Sequence, residues 1–343
     1  MPELPEVETI AAGVHARVQG ARITAVWTSG KPQTFKSPEP EIAAALTGTR
    51  IESVRRVGKT IVMTLHREKP PGAPSFAVSS QRVGSVKTPT ELLIHLGMTG
   101  RLLVSAPELP LAPHTHAVLT LNGAPGGSGS PRGIDAPGKT AACEIRFVDP
   151  RRFGRISLHS STAAKLGAPD GVPGERSLLA GVARLDSETW DRPPQSSQPT
   201  PYTGPGREPL TISLADFIAL FQSRRTPIKA ALLNQSLLHG IGNIYADESL
   251  FRAGLHPTRQ AARLTRAELA RLRTSLVKVL RHAIRLGGSS VSDYVDAEGS
   301  RGLFQLRHKV YRRTGQPCFA CATPIKKITL AGRSTHFCPH CQK

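Results

Sequence analysis

The sequence predicts an α+β molecule, with a strand-rich amino-terminal half, a helical carboxy-terminal half and a small metal-bound hairpin at the end. Three observations predict it. Apolar residues fall in strand-like runs between turn residues from about Arg22 to Leu158, a helical period takes over beyond Ser213, and four cysteines stand in two close pairs at the carboxy terminus. At 343 residues the chain also exceeds the size at which one core usually stops growing, so two or three domains are expected.

The first element is a helix over Pro5–Val18. Val7, Ile10, Ala11, Val14 and Val18 recur at helical spacing, Pro5 suits a first turn, and Gly20 stands just past the end. The stripe reads as core, and a buried helix would fix Pro2 and Glu3 in space. Strands follow at Thr60–Leu65, Glu91–Val104, Ala117–Leu121 and Cys143–Leu158, enough for two packed sheets. Gly/Pro/Ser-rich stretches at Glu68–Pro89 and Asn122–Thr140 read as long surface loops, and the proline-rich stretch Asp191–Pro209 as an interdomain linker. Helices are then expected from the capping start Ser213-x-x-Asp216, at Ile228–Leu233, at Ile244–Arg252, and from Thr265-x-x-Glu268 to the Gly287-Gly288 stop.

Cys318, Cys321, Cys338 and Cys341 form C-x2-C-x16-C-x2-C, a zinc-site spacing. Four thiolates suit one tetrahedral Zn2+ and leave no open position for water, so the metal would organise a hairpin and not catalyse. A pair of disulfides is the alternative, disfavoured in a reducing cytosol. Cys143, in an apolar run, reads as inert core.

Lys and Arg number 45 against 25 Asp and Glu, a formal charge of +20, which implies a polyanionic partner and nucleic acid first. A membrane surface is the rival. Against it, no apolar run approaches a spanning helix and the basic residues are dispersed rather than gathered on one amphipathic helix. Glu3, Glu6 and Glu8 precede any Arg, which is wrong for a secretion or transit signal, so a cytoplasmic location is expected.

Removal of the initiator Met would leave Pro2 as a free secondary amine beside carboxylates. An α-amino group titrates near pH 8, so an appreciable fraction is unprotonated at neutral pH and able to attack a sugar carbon. The plainer reading is that Pro2 only permits Met removal. Gly240-Ile241-Gly242-Asn243 before a helix suits phosphate binding by backbone N–H groups, and Arg224, Arg225 and Lys229 upstream strengthen that reading, although a plain helix turn with a solvated cationic face would look alike. The turns His95–Gly100 and Asp149–Gly154 carry Met98, Arg151 and Phe153. Such tips could wedge into a base stack, or could be core packing and ion pairs.

Taken in order, PELPEVET at the start, the GK ending at Lys59, HLGMTG, DPRRFG, the PIK around Lys229, GIGNIYADESLF and the four-cysteine tail ending in CQK resemble the formamidopyrimidine-DNA glycosylase family, which also contains endonuclease VIII. The resemblance runs nearly end to end. It implies a bilobal α+β fold, a β-sandwich domain with an amino-terminal helix joined to a helix-two-turn-helix domain and a zinc finger, with damaged duplex DNA bound in the cleft between lobes. It implies a bifunctional glycosylase and AP lyase that removes 8-oxoguanine and formamidopyrimidines through a Schiff base, followed by β,δ-elimination. Pro2 would be the nucleophile, Glu3 the acid at the sugar or departing base, and Glu6 a nearby structural or phosphate-facing carboxylate. Lys59 would serve β-elimination and Arg333 δ-elimination. Met98, Arg151 and Phe153 would fill the vacated duplex, with Arg151 facing the orphaned cytosine, while His114, Arg224, Lys229 and Asn243 would contact phosphates. The expected cofactor is one structural Zn2+, with no redox or organic group, and the expected state is a monomer.

On this basis the expected domains are residues 1–160 for the catalytic β lobe, 161–211 for linker and insertion, 212–306 for the DNA-binding helical lobe and 307–343 for the zinc finger. The family's GPEPL segment appears only as a disturbed Gly204–Leu210 stretch, and residues 288–305 match a loop that covers the flipped base and differs among relatives. Three rivals remain at this level: an enzyme for oxidised pyrimidines, a non-catalytic damage sensor, and an RNA-binding zinc-ribbon protein.

Overall fold

The computed structural model describes residues 1–67, 90–124, 141–159, 202–291 and 294–343. Helix α1 (Leu4–Val18) starts one residue before the pattern suggested, because Glu3 and Glu6 form a capping box ahead of Pro5. Its apolar stripe divides between the lobes. Leu4 packs into the helical core, while Val7, Ile10, Ala11, Val14 and Val18 pack into the β core. One rigid helix therefore ties the amino terminus to both lobes.

The β lobe contains β1 (Arg22–Thr28), α2 (Glu39–Leu46), β2 (Thr49–Val57), β3 (Thr60–Arg67), β4 (Thr90–His95), β5 (Arg101–Ser105), β6 (Thr115–Ala124), β7 (Ala141–Val148) and β8 (Arg155–His159). The strands hydrogen-bond in the order β5-β7-β6-β1-β2-β3-β4-β8, every pair antiparallel. β1 and β2 meet in register only at Arg22 and Arg50. The continuous order thus divides at that seam into two four-stranded leaves. Ile23, Leu119 and Phe147 from one leaf and Ile61, Met63, Leu92 and Ile156 from the other share a single apolar core, as in a sandwich.

The run Glu91–Val104 breaks into β4 and β5 at Leu96–Gly100, and Cys143–Leu158 breaks into β7 and β8 at Asp149–Gly154. Helix α2 lies inside the stretch read as strands; Ile42 and Leu46, four apart, cover the sandwich core with it. Strand β6 continues through Ala124, so Asn122–Ala124 is strand and not loop. The remainder of that stretch, Glu68–Pro89, and the proline-rich segment before Tyr202 lie outside the described residues.

The helical lobe is α3 (Leu214–Gln222), α4 (Ile228–Leu233), α5 (Asn243–Ala253) and α6 (Arg266–Arg285). Ser213 caps α3 by accepting from the Asp216 amide at 3.0 Å, and Thr265 with Glu268 forms the capping box of α6. Phe217, Phe221, Tyr245, Leu250, Leu272 and Leu276 form its core. Strands β9 (Lys326–Leu330) and β10 (Arg333–Phe337) make the terminal hairpin. The described end of the proline-rich segment is tied down: the Tyr202 amide donates to Glu91 at 2.8 Å, and Glu208 accepts two hydrogen bonds from Arg56.

Candidate active site and nucleic-acid interface

Helix α5 holds together most of the buried charge. At its amino end, Glu3 Oε1 accepts from the Ile244 amide at 3.0 Å and Oε2 from the Tyr245 amide at 3.4 Å. Unpaired N–H groups and the helix dipole favour a carboxylate at this end. Gly242 is required by the approach, since a Cβ there would lie 2.2 Å from Glu3 Cδ. Glu6 accepts from the Glu3 amide at 2.8 Å, from the Ser289 amide at 2.7 Å and from the Tyr245 hydroxyl. Burial, then the neighbouring Glu6, push the Glu3 carboxyl up to about 7, against opposing pulls from Lys59 and the two amides. A carboxyl at that value can hold and release a proton at neutral pH. Pro2 is buried immediately beside it.

Lys59 sits in the two-residue turn joining β2 to β3, where Val57 pairs with Thr60 and Gly58 takes φ +60°. Burial pulls its ammonium below the usual lysine range; Glu3 and Glu6 oppose this and Arg333 reinforces it. Lys59, Glu3 and Arg333 therefore share one electrostatic neighbourhood although they come from three separate elements. Arg333 is exposed at the tip of the hairpin, following Ala331 and Gly332, which both have positive φ. His239 joins this region to the segment between the lobes. Its Nε2 lies 3.1 Å from Glu208, its ring packs on Gly58, and the next residue, Gly240, accepts from the Leu4 amide at 2.9 Å.

The two turns singled out in the sequence come together. A Cβ on Gly97 would lie 2.4 Å from the Phe153 carbonyl carbon, so the two loops run against each other backbone to backbone. Fully buried Asp149 fastens both: it accepts from Thr99 Oγ1 at 2.6 Å and from the Gly154 amide at 2.6 Å. Above that base, Met98 is 41% exposed and Phe153 51%, with the Arg151 guanidinium 5.2 Å from the Phe153 ring centroid. His114, at φ +66° before β6, and Arg224, between α3 and α4, are also exposed.

Lys229 departs from the expectation of a phosphate contact. Its side chain is fully buried, with Nζ 2.7 Å from Asp247 Oδ1, 2.9 Å from the Ser334 carbonyl and 2.8 Å from Thr335 Oγ1. Every donor faces protein, so in this structure Lys229 presents nothing to a phosphate and instead holds β10 against α5. Asn243, half-buried, donates to the same Ser334 carbonyl at 2.9 Å. Asp247 also accepts from the His336 amide, and Glu248 accepts from the amides of Lys309, Val310 and Tyr311 at 2.8–2.9 Å. Two consecutive acids on α5 thus anchor the tail domain.

The sulfurs of Cys318, Cys321, Cys338 and Cys341 lie within 4.8 Å of one another. A tetrahedral Zn2+ with Zn–S bonds of about 2.3 Å needs S–S separations of about 3.8 Å. Pairs at 3.3, 3.4 and 3.9 Å fit that cage. The ion would close the hairpin covalently where its own small apolar cluster, Val310, Ile325 and Phe251, offers little. Gln342 extends the anchorage, donating to the Leu255 carbonyl and accepting from the Cys338 amide.

Residues 1–156 match the formamidopyrimidine-DNA glycosylase N-terminal domain, 205–295 its H2TH domain, and 315–343 the zinc finger found in FPG and IleRS. The chain belongs to the formamidopyrimidine-DNA glycosylase family. It is 38% identical to the formamidopyrimidine-DNA glycosylase of Solibacter usitatus and 37% identical to that of Gluconobacter oxydans, with all of both chains covered in each case. MutM (Fpg) from Thermus thermophilus superposes with TM-score 0.68 at 34% identity, over 99% of this chain and 98% of that one. A Lactococcus lactis FPG variant in complex with Fapy-dG DNA gives TM-score 0.70 at 26% identity over the whole of both chains. Within this formamidopyrimidine-DNA glycosylase framework, sequence reasoning did not single out Tyr245, Asp247, Glu248 or His239, whose side-chain partners lie between 18 and 239 positions away in the chain, and it read Asp149 only as the start of a turn.

Proposed function

We propose that the protein is a bifunctional DNA glycosylase and AP lyase that excises oxidised purines from duplex DNA. The observation that carries the reading is Glu3, a carboxyl held near pKa 7 at the amino end of α5, immediately beside Pro2 and facing the charge of Lys59. With Met1 removed, the Pro2 amine attacks C1′ of the damaged nucleotide while Glu3 supplies a proton to the sugar or departing base. The C1′–N bond breaks and its electrons leave with the base. Loss of a proton and ring opening give the iminium, which acidifies the C2′ hydrogen; Lys59 assists β-elimination and Arg333 δ-elimination of the phosphates. Met98, Arg151 and Phe153 enter the stack as the nucleotide leaves it. His114, Arg224 and Asn243 contact the backbone, and the protein works as a monomer in the cytoplasm.

Family membership and DNA complexes of its structural neighbours support this reading. One Lactococcus lactis neighbour is a complex with DNA containing an oxidised pyrimidine, so that base class belongs in the test. The experiment is borohydride trapping on duplexes carrying 8-oxoguanine opposite cytosine, a formamidopyrimidine, an oxidised pyrimidine or an abasic site, with Pro2→Ala alongside. Trapping on the purine lesions that Pro2→Ala removes is the expected result. Preference for the pyrimidine lesion would move the substrate class, and trapping that survives Pro2→Ala would end the assignment of the nucleophile.

A further inference from the structure

Helix α6 gathers six basic residues against one acid, Glu268, so the cations are less dispersed than the composition suggested. Leu269, Leu272, Leu276, Leu280 and Ala283 occupy its buried face. On the other side, Arg271, Lys278 and Arg285 recur every seven residues with Thr274 and Arg281 between them, and all five are exposed. At 1.5 Å per residue the stripe runs about 21 Å. Arg252, from the end of α5, joins Arg271, Thr274 and Lys278 in lining an open groove of about 600 Å³. Arg307 and Lys309 extend the patch: partial burial, then Arg285, Arg307, Arg252 and Lys309, hold the His282 imidazole below its usual range. Among the described residues no carboxylate forms an ion pair with any of these cations, and Glu268 is taken by Arg259.

We propose that this stripe is a second DNA-binding surface, which holds the phosphates of a lesion-free duplex while the catalytic cleft holds another. Glu3 bonds the Ile244 amide at the amino end of α5 and Arg252 lies eight residues further along it, a rise of about 12 Å, so the two surfaces are at opposite ends of the helix. Uncompensated like charges on a rigid helix suit a polyanion of regular spacing. Between Arg271 and Arg285 the exposed positions of the stripe carry cations and the Thr274 hydroxyl, which suit phosphate oxygens, while the exposed apolar side chains of the neighbourhood, Leu306 and Phe319, lie off the helix beside Arg307 and Lys309. Its length matches about six base pairs. The protein would thereby pass between DNA segments during search without releasing into solution.

The test uses the full chain, a donor-labelled duplex with an uncleavable abasic analogue, and an acceptor-labelled lesion-free duplex. Protein-dependent energy transfer that fades with salt is expected. K278Q/R281Q/R285Q should weaken capture of the second duplex at least tenfold and lower its salt slope by about three, with excision on one short duplex within twofold of the parent. R252Q alone should weaken capture by a smaller factor and serves as the second variant. Absence of bridging, bridging equal in the variants and the parent, or binding of a polyglutamate peptide at this stripe without duplex capture would each overturn the proposal.

Discussion

Glu3, Glu6 and Lys229 are at most 5% exposed, and each meets at least two polar partners, whereas Met98 and Phe153 are 41% and 51% exposed and are fixed only at the base of their loops. The contrast separates two tasks. Buried charged groups, whether they hold a proton as Glu3 does or anchor a strand as Lys229 does, need their partners already in place where water is excluded. A residue that must enter a base stack has to carry its apolar surface uncovered until DNA arrives, so it cannot belong to a core. Asp149 marks the boundary between the two: buried beneath the tips, it holds the backbone that presents them.

If that contrast is right, damage to the buried cluster should cost stability and damage to the tips should not. The largest effect is expected for Asp247→Ala, which strands the Lys229 ammonium and releases β10. Loss of about 3–5 kcal/mol, by denaturant unfolding with zinc held constant, is the expected result. Next is pH. Glu3 sits near 7 against an ordinary 4.5, so its contribution is fully present below about 4.5 and is lost as pH rises through 7, a decline on the order of 3 kcal/mol. Stability of Glu3→Gln should fall less than that of the parent over this window; an identical decline would place the proton elsewhere. Asp149→Ala should cost about 1–3 kcal/mol through its abandoned donors, and proteolysis should show cuts confined to the two turns. Smallest is Phe153→Ala, expected to change stability by less than about 0.5 kcal/mol while slowing excision from duplex DNA about tenfold. A substantial stability loss there would mean that Phe153 is a packing residue.

Much of this was legible in the chain. The α1 stripe, the caps at Ser213 and Thr265, the cysteine spacing and the turns at Gly97 and Gly154 are local signals, and each falls where its period or turn chemistry put it. Helix α2 escaped because eight residues give only two core contacts, Ile42 and Leu46, too few to establish a helical period among strands. Lys229 misleads because a lysine beside two arginines looks like a phosphate binder, and the acid that buries it stands eighteen positions on, in another helix. The same holds for Glu3 and Ile244, whose hydrogen bond spans 241 positions. Motifs gave the family's chemistry, but only the fold shows which groups are pinned and which are presented.

The most direct test of that division compares Pro2→Ala and Phe153→Ala in borohydride trapping on two substrates: a paired duplex with 8-oxoguanine opposite cytosine, and a duplex with a preformed abasic site. Pro2→Ala should lose the adduct on both. Phe153→Ala should lose most of it on the paired lesion and keep it on the abasic duplex, where no base has to be extruded. Equal loss from Phe153→Ala on both substrates, or an adduct that persists without Pro2, would contradict the account.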